Sequence, residues 1–274
     1  INYLIQFFSN YTNPPSINNI TFDKKFIFLC QNRQPHYHRL LLLTYSKNLG
    51  LFENDIMNWS LTMPHSDYIQ YTQQSANVLS LVHFKNYLDL NNKSLINDYS
   101  FICNTKKLCY YEEGINWNDT KFTYTHHNPL DTFKSELNFQ NAFINIVTES
   151  HYHYRDYDVH ITEKSFKPLA FMHPMLIFGQ PRILEYIKSL GFETFDNLFD
   201  ESYDDETNDI RRIEKVTRLL KELNNLSVAE RQQIHRHCLP RVEHNYNHFY
   251  RGAFADLLWT ELTTMLNEFI KGQK

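Results

Sequence analysis

The chain has 274 residues, 42% hydrophobic, 21% charged and 15% aromatic, with a formal net charge of −4. This composition excludes intrinsic disorder and collagen-like structure, and a chain of this length can bury a substantial core. No apolar run approaches the ~20 residues needed to span a bilayer, and the acidic balance argues against broad, sequence-independent nucleic-acid binding.

Asparagine is abundant at 28 residues, with 18 Tyr and 21 Phe against only 6 Gly and 9 Pro. That pattern is the coding bias of an AT-rich genome and carries no function. The four cysteines, Cys30, Cys103, Cys109 and Cys238, form no CxxC pair and no zinc spacing. They are expected to be reduced, as in the cytoplasm. Six Asn-x-Ser/Thr sequons, Asn10, Asn58 and Asn118 among them, carry little weight in a chain so rich in Asn.

Residues 1–24 are expected to be an irregular lead-in broken by Asn13-Pro14-Pro15. Residues 25–30 are short, apolar and bounded by polar residues, which predicts a buried strand. A polar loop over 31–39 follows, then an apolar helix over 40–49 stopped by Gly50. Residues 55–62 are read as a strand. Helical periodicity runs over 75–88, and 91–140 is a polar, Asn-rich stretch in which no element is assigned. Residues 142–147 form a strand and 148–160 a loop dense in His, Tyr and Asp. Residues 163–171 are read as a helix, 175–178 as a strand ending at Gly179, and 181–190 as a helix ending at Gly191. A short strand over 192–195, an acidic stretch over 196–209, an amphipathic helix to Leu223, and helices over about 227–238 and 243–271 complete the chain. Alternating strands and helices predict an α/β fold: a mainly parallel sheet with helices on both faces.

Several groups of residues have chemical potential. Thr162-Glu163-Lys164 stands at a strand-to-helix turn, with Lys167 and Pro168 close behind. There a diphosphate gains from unpaired helix N–H groups and from a lysine. The bland reading is a helix start in which Thr162 caps and Glu163 favours the dipole. Asn32, Arg33, His36, His38 and Arg39 surround the first strand-to-helix loop, where an arginine can grip phosphate in a bidentate fork. The dinucleotide fingerprint and the GxxxxGK[ST] loop are both absent. His151, His153 and His160 with Asp156 and Asp158 lack a specific metal-ligand spacing, so no metal site and no cofactor are assigned. The acidic run over 196–209 has seven carboxylates and no Lys or Arg, and reads as a solvated helix lead-in. Residues 231–251 hold four Arg and four His, either a polar helix face or a surface for a polyanion.

Together these motifs resemble one family. Thr148-Glu149-Ser150, Thr162-Glu163-Lys164 and the apolar segment from Leu169 through Pro174 to Gly179 look like the donor-binding signature of the α-1,3-fucosyltransferases. The loop from Asn32 to Arg39 is similar to that family's Asn…Arg segment. Residues 32–36, 162–168 and 200–204 also resemble motifs of uncharacterised glycosyltransferase-like proteins of large viruses and phages. The resemblance implies a GT-B, Rossmann-like lobe over 25–274 that binds a nucleotide-sugar donor, with an insertion at about 50–140. It implies inverting, metal-independent transfer of a sugar to an acceptor hydroxyl. By the same resemblance Arg39 and Lys164 hold the donor diphosphate, with Arg33 as alternate. Asn32, Thr162 and Lys167 line that site, and Glu163 contacts the sugar. The family's Phe-Glu-Asn-Ser box reads Thr-Glu-Ser-His here, and Arg39 and Glu163 lie 124 positions apart, wider than the family pattern. In the family the general base comes from an N-terminal lobe; here it is expected from the insertion, from Glu149 or from His151, or to be missing, and a missing N-terminal lobe or a larger parent chain is an expected partner. Two alternatives accompany this expectation: a non-catalytic binding module of the same fold, and a viral enzyme that modifies DNA bases.

Overall fold

The computed structural model describes residues 20, 22–24, 26–32, 36–51, 57–61, 94–95, 97–98, 139–153, 159–251 and 253–272. Four strands, β1 (Phe26–Asn32), β2 (Met57–Leu61), β3 (Ala142–Thr148) and β4 (Met175–Phe178), form one sheet in the order β2-β1-β3-β4. Every pairing is parallel. The apolar β1, β3 and β4 read as continuous hydrophobic runs because both faces of such a sheet are covered. Every residue of β3 and β4 is buried. The expected α/β fold with a parallel sheet is therefore present. Because β2 pairs with β1, the sheet reaches into the stretch where an insertion was expected to begin at about residue 50.

Among the described residues the longer helices are α1 (Tyr37–Asn48), α2 (Glu163–Ala170), α3 (Ile183–Ser189), α4 (Asp209–Asn225), α5 (Val228–Arg251) and α6 (Ala253–Gly272). Helix α1 packs with α4, while α2 packs with α5 and α5 with α6. One continuous core joins these layers through Phe28, Leu42, Ile144, Phe166, Ile177 and Leu220. Each such side chain, fully buried, contributes ~1.5–3 kcal/mol relative to exposure. No described helix is long and apolar enough to cross a membrane.

The turns follow local chemistry. Helix α1 closes with Gly50 at φ 77°, where Gly50 N–H reaches Lys47 O (2.9 Å) and Leu51 N–H reaches Ser46 O (3.0 Å). This left-handed closure favours a residue without a Cβ. With all strands parallel, the chain order runs outward to β2 on one side of β1 and to β4 on the other side of β3, so the strand order switches between β1 and β3, and ligands of doubly wound sheets sit at such a switch point.

Four expectations need correction. Helix α1 starts at Tyr37, not Leu40, because the extended His36 already serves as its N-cap residue. Residues 192–195 form no strand and join no ladder. Helix α3 starts at Ile183, since Asp204 supplies the acceptors there: Leu184 N–H donates to Oδ2 (2.9 Å) and Arg182 N–H to the backbone carbonyl (2.8 Å). Helix α5 runs through Pro240, where a break was expected. Pro240 costs a helix hydrogen bond, and burial of Cys238, Val242, Tyr246 and Phe249 on one face outweighs it. The helix expected over 75–88 lies outside the described residues.

Candidate functional site

The carboxyl ends of β1 and β3 hold a buried polar floor. Asn32, at the end of β1, accepts a hydrogen bond from Thr148 Oγ1 and donates to Cys30 Sγ (3.2 Å). Arg39, in the first turn of α1, donates from Nη2 to Thr148 O (2.9 Å). His38 donates from Nε2 to Glu149 O (2.8 Å), which fixes its tautomer. The bonds to Thr148 and Glu149 span more than 100 positions of chain, and those of His38 and Arg39 seat α1 on the sheet. Asn32, His38 and Arg39 are each at most 2% exposed.

Glu149 is the centre of this floor. It follows β3 directly and its own N–H reaches Phe178 O (3.0 Å). Its Oε1 accepts from Thr162 N–H (3.0 Å) and Ser165 Oγ (2.6 Å). Its Oε2 accepts from Thr162 Oγ1 (2.6 Å) and Ser150 N–H (3.2 Å). Glu149 is 0% exposed. A carboxylate so enclosed locks the turn into α2 and cannot reach a substrate hydroxyl. Where a base was expected at Glu149, the structure shows a carboxylate whose hydrogen bonds go to Ser150, Thr162 and Ser165. Gly179 lies against it, and a Cβ there would stand 3.2 Å from Glu149 Cβ and 3.0 Å from Ile183 Cδ1.

Above the floor lies a more open mouth. Thr162 caps α2, accepting from Lys164 N–H. Lys164 Nζ donates to Thr162 Oγ1 (2.8 Å), Ser150 Oγ (3.2 Å) and Glu163 Oε1 (3.4 Å). The Lys164 side chain is 26% exposed and that of Glu163 37%. Burial raises the Glu163 carboxyl, but the Lys164 and Lys167 charges and hydrogen bonds from its own N–H and from Lys164 outweigh it. The carboxyl is held below its usual range.

Imidazoles line the same mouth. The His36 ring stacks on His38 (5.7 Å between centroids), and His38 on Tyr152 (5.1 Å). His151 stacks on His160 (4.2 Å). Burial, then the charges of Arg39, Lys164 and His151, push His36 down to about 4. Burial and the Arg39 charge likewise hold His38 well below the usual histidine range. The N-termini of α1 and α2 thus open at the crevice beside Lys164, and His36 lies within electrostatic reach of Lys164 and Arg39.

A third group steadies the loop above β3. The Arg212 guanidinium sits 4.0 Å over the Tyr152 ring and donates to Tyr152 O, Asp209 Oδ1 (2.9 Å) and Glu206 O (2.7 Å). Tyr152 donates to Asp209 O (2.6 Å), and His153 pairs with Asp209 Oδ2. Gln180 binds both ends of the loop, accepting from His160 N–H (2.8 Å) and donating to His153 O (3.2 Å).

The structure therefore brings together Thr162, Glu163, Lys164, Glu149, Asn32, Arg39 and His151 of the expected set. Lys167 stands near enough for its charge to act on Glu163. Arg33 lies outside the described residues, as do Asp156 and Asp158. Arg39 and Asn32, expected at the donor, are floor residues. Sequence reasoning missed the roles of His38, Tyr152, Ser165, Gln180 and Arg212. The one local signal was Asn208-Asp209 followed by Arg212, a capped helix start with an i,i+3 ion pair.

The acidic run is more than a solvated lead-in. Glu201 accepts from Phe195 N–H (2.7 Å) and Thr194 Oγ1 (2.7 Å), and Asp204 holds α3. In the basic stretch of α5, Arg241 bonds Asp196 and Thr194 O, and His244 and His248 donate to Gly191 O and Leu190 O. Among the described residues, no group of three or more His, Cys, Asp or Glu is arranged to hold a metal ion. Compared with protein-family models, curated proteins and solved structures, the chain matches none.

Proposed function

We propose that this chain is the donor-binding lobe of a glycosyltransferase, taking a nucleoside-diphosphate sugar at the mouth and passing the sugar, with inversion, to an acceptor hydroxyl. One observation carries the reading. At the β1/β3 crevice of a parallel sheet, the N-termini of two helices open beside Lys164, with the half-exposed Glu163 next to it. Helix N–H groups and an ammonium complement a diphosphate, whose charge grows as it leaves. A carboxylate held ionised beside them suits sugar hydroxyls or the positive charge of an oxocarbenium-like transition state. Glu149, by fixing Thr162 and Ser165, keeps that constellation in place.

The protein's part in the reaction would be electrostatic and positional. Lys164 and the α2 N-terminus would balance the leaving group. The acceptor proton would pass to an imidazole of the mouth, since histidine suits that transfer near neutral pH. A second reading, a binding module that holds a nucleotide without turnover, is favoured by the burial of Glu149, which removes one expected base. The DNA-modifying alternative loses support, because Arg241, His244 and His248 are committed to packing the 190–196 segment.

The test is thermal stabilisation by a panel of nucleoside diphosphates and nucleotide sugars, with and without a chelator, followed by donor turnover. Ligand well above its dissociation constant stabilises by a few kcal/mol. A shift with one nucleotide family that is lost in Lys164→Ala supports the donor site, and turnover separates enzyme from binding module. If no nucleotide shifts the melt, the reading is wrong.

A further inference from the structure

Helix α6 is anchored near its start. Phe254 is buried against Phe166, Phe192 and Phe249. Beyond it, every α6 side chain that the structure describes is exposed. Trp259, Leu266 and Ile270 are 60%, 51% and 57% exposed. At about 100° per residue, positions 259, 263, 266 and 270 fall within about 60° of one another, and Phe254 lies about 140° around the helix from Trp259. Thr263 belongs to this stripe without making it polar. Its hydroxyl donates to Trp259 O, just as Thr260 and Thr264 donate to Asp256 O (2.8 Å) and Thr260 O (2.8 Å). The hydroxyl is satisfied inside the helix, and its methyl group remains for contact. An apolar stripe on the solvent side of a helix, away from its core residue, marks a contact surface.

We propose that a second copy of this chain covers the stripe, α6 packing against α6 in antiparallel sense. The pattern is its own reverse. Positions 259, 263, 266 and 270 are separated by four, three and four residues, so an antiparallel copy sets Trp259 opposite Ile270 and Thr263 opposite Leu266, each pairing made twice. The charges select the direction. Asp256 in the first turn and Lys271 in the last turn occupy positions on the same flank of the stripe. The two-fold axis of an antiparallel pair brings like flanks together. Asp256 of one copy then stands about two residues, or roughly 3 Å along the axis, from Lys271 of the other, within reach of a lysine. A parallel pair puts these flanks on opposite sides of the contact and leaves both ion pairs unmade. The other two carboxylates of α6, Glu261 and Glu268, occupy positions on the far side of the helix and oppose neither arrangement. The antiparallel sense also opposes the two helix dipoles.

Sedimentation velocity of the full chain, from nanomolar to high micromolar concentration, tests the proposal. One helix from each copy makes a small interface, so half-association is expected on the order of 10 μM. Leu266→Glu sets two carboxylates at the centre of the contact and should weaken association at least tenfold. Leu266 is exposed in the single chain, so this variant is expected to fold, and circular dichroism with a melt at low concentration checks it. Charge reversal reads the direction. Asp256→Lys and Lys271→Glu should each weaken the dimer about threefold or more, and the two together should restore it. A chain that stays monomeric over the whole range overturns the proposal and leaves the stripe to a different partner. A dimer indifferent to Leu266→Glu is held by another surface and overturns it equally. Loss in both single reversals without recovery in the double variant overturns the antiparallel pairing.

Discussion

Replacing Glu149 by glutamine tests whether this carboxylate holds the site or does chemistry in it. The side chain is fully buried and receives two backbone N–H groups and two hydroxyls. An amide keeps one acceptor oxygen and turns an NH₂ to the other side. The hydroxyls of Thr162 and Ser165 can rotate and become acceptors. The N–H groups of Thr162 and Ser150 cannot, and they bond opposite oxygens of the carboxylate. Either rotamer therefore sets an NH₂ against one backbone N–H. The unsatisfied donor costs ~1–3 kcal/mol and the loss of charge assistance about 1 kcal/mol more, so roughly 3 kcal/mol in all. At ~2–4 °C per kcal/mol for a chain of this size, the melting temperature should fall by about 6–12 °C, as read by circular dichroism. Amide exchange at Thr162 should quicken at the same time. A Glu149→Gln protein that melts within about 2 °C of the parent yet loses turnover would refute the holding role and restore the role of base.

Burial raises Asp204 from 3.8 to about 7, so the folded chain binds a proton there that the unfolded chain has released. Its contribution to stability is full below about pH 4 and is lost as pH rises through about 7. The Asp204→Asn variant keeps an acceptor for Leu184 N–H; it should match the parent near pH 4 and exceed it at pH 8, by up to about 4 kcal/mol in urea unfolding. Gly191 has φ 89°, and a Cβ there would meet His248 Nε2 at 2.7 Å. Gly191→Ala should cost about 2 kcal/mol or more, and a change under about 0.5 kcal/mol would contradict the strained geometry.

What could be read from the sequence was what is local. The Thr162-Glu163-Lys164 helix start is encoded by adjacent residues, as a cap and a first-turn acid, whereas the strand end expected to deliver it is absent, since residues 159–162 join no ladder. The Gly50 and Gly191 helix ends are equally local. The floor is not. Arg39 meets Thr148 across 109 positions and His38 meets Glu149 across 111, and nothing near either partner marks the pairing. Glu149 looks like an exposed loop acid until Thr162 and Ser165, 13 and 16 residues on, close over it. The acidic run misled for the same reason. Its composition is that of a solvated stretch, but Glu201 and Asp204 accept backbone N–H groups from segments folded against them. Pro240 shows the converse, where a strong local breaker on the exposed side of α5 yields to burial of the helix's other face.

This division between floor and mouth makes a prediction that neither residue would make alone. Arg39 and Lys164 are both cations at the crevice, and a motif reading gives both the donor diphosphate. Their surroundings differ. Arg39 is 2% exposed and ties α1 to the end of β3 through Thr148 O, whereas the Lys164 side chain is 26% exposed and bonded to two hydroxyls and the neighbouring Glu163 carboxylate. Removing Arg39 leaves a buried carbonyl without its donor and a cavity beneath α1, and should cost about 3 kcal/mol or more of stability. Removing Lys164 breaks partly solvated contacts worth about 1 kcal/mol, while the charge it offers a diphosphate is lost outright. In paired experiments, Arg39→Ala should therefore lower the urea midpoint strongly. Lys164→Ala should leave it nearly unchanged and weaken nucleotide binding at least tenfold, a hydrogen bond between charged groups being worth ~1.5–3 kcal/mol. The reverse pattern, a stable Arg39→Ala protein that no longer binds and a Lys164→Ala protein that unfolds early, would show that the guanidinium faces the ligand and that the lysine is the structural cation.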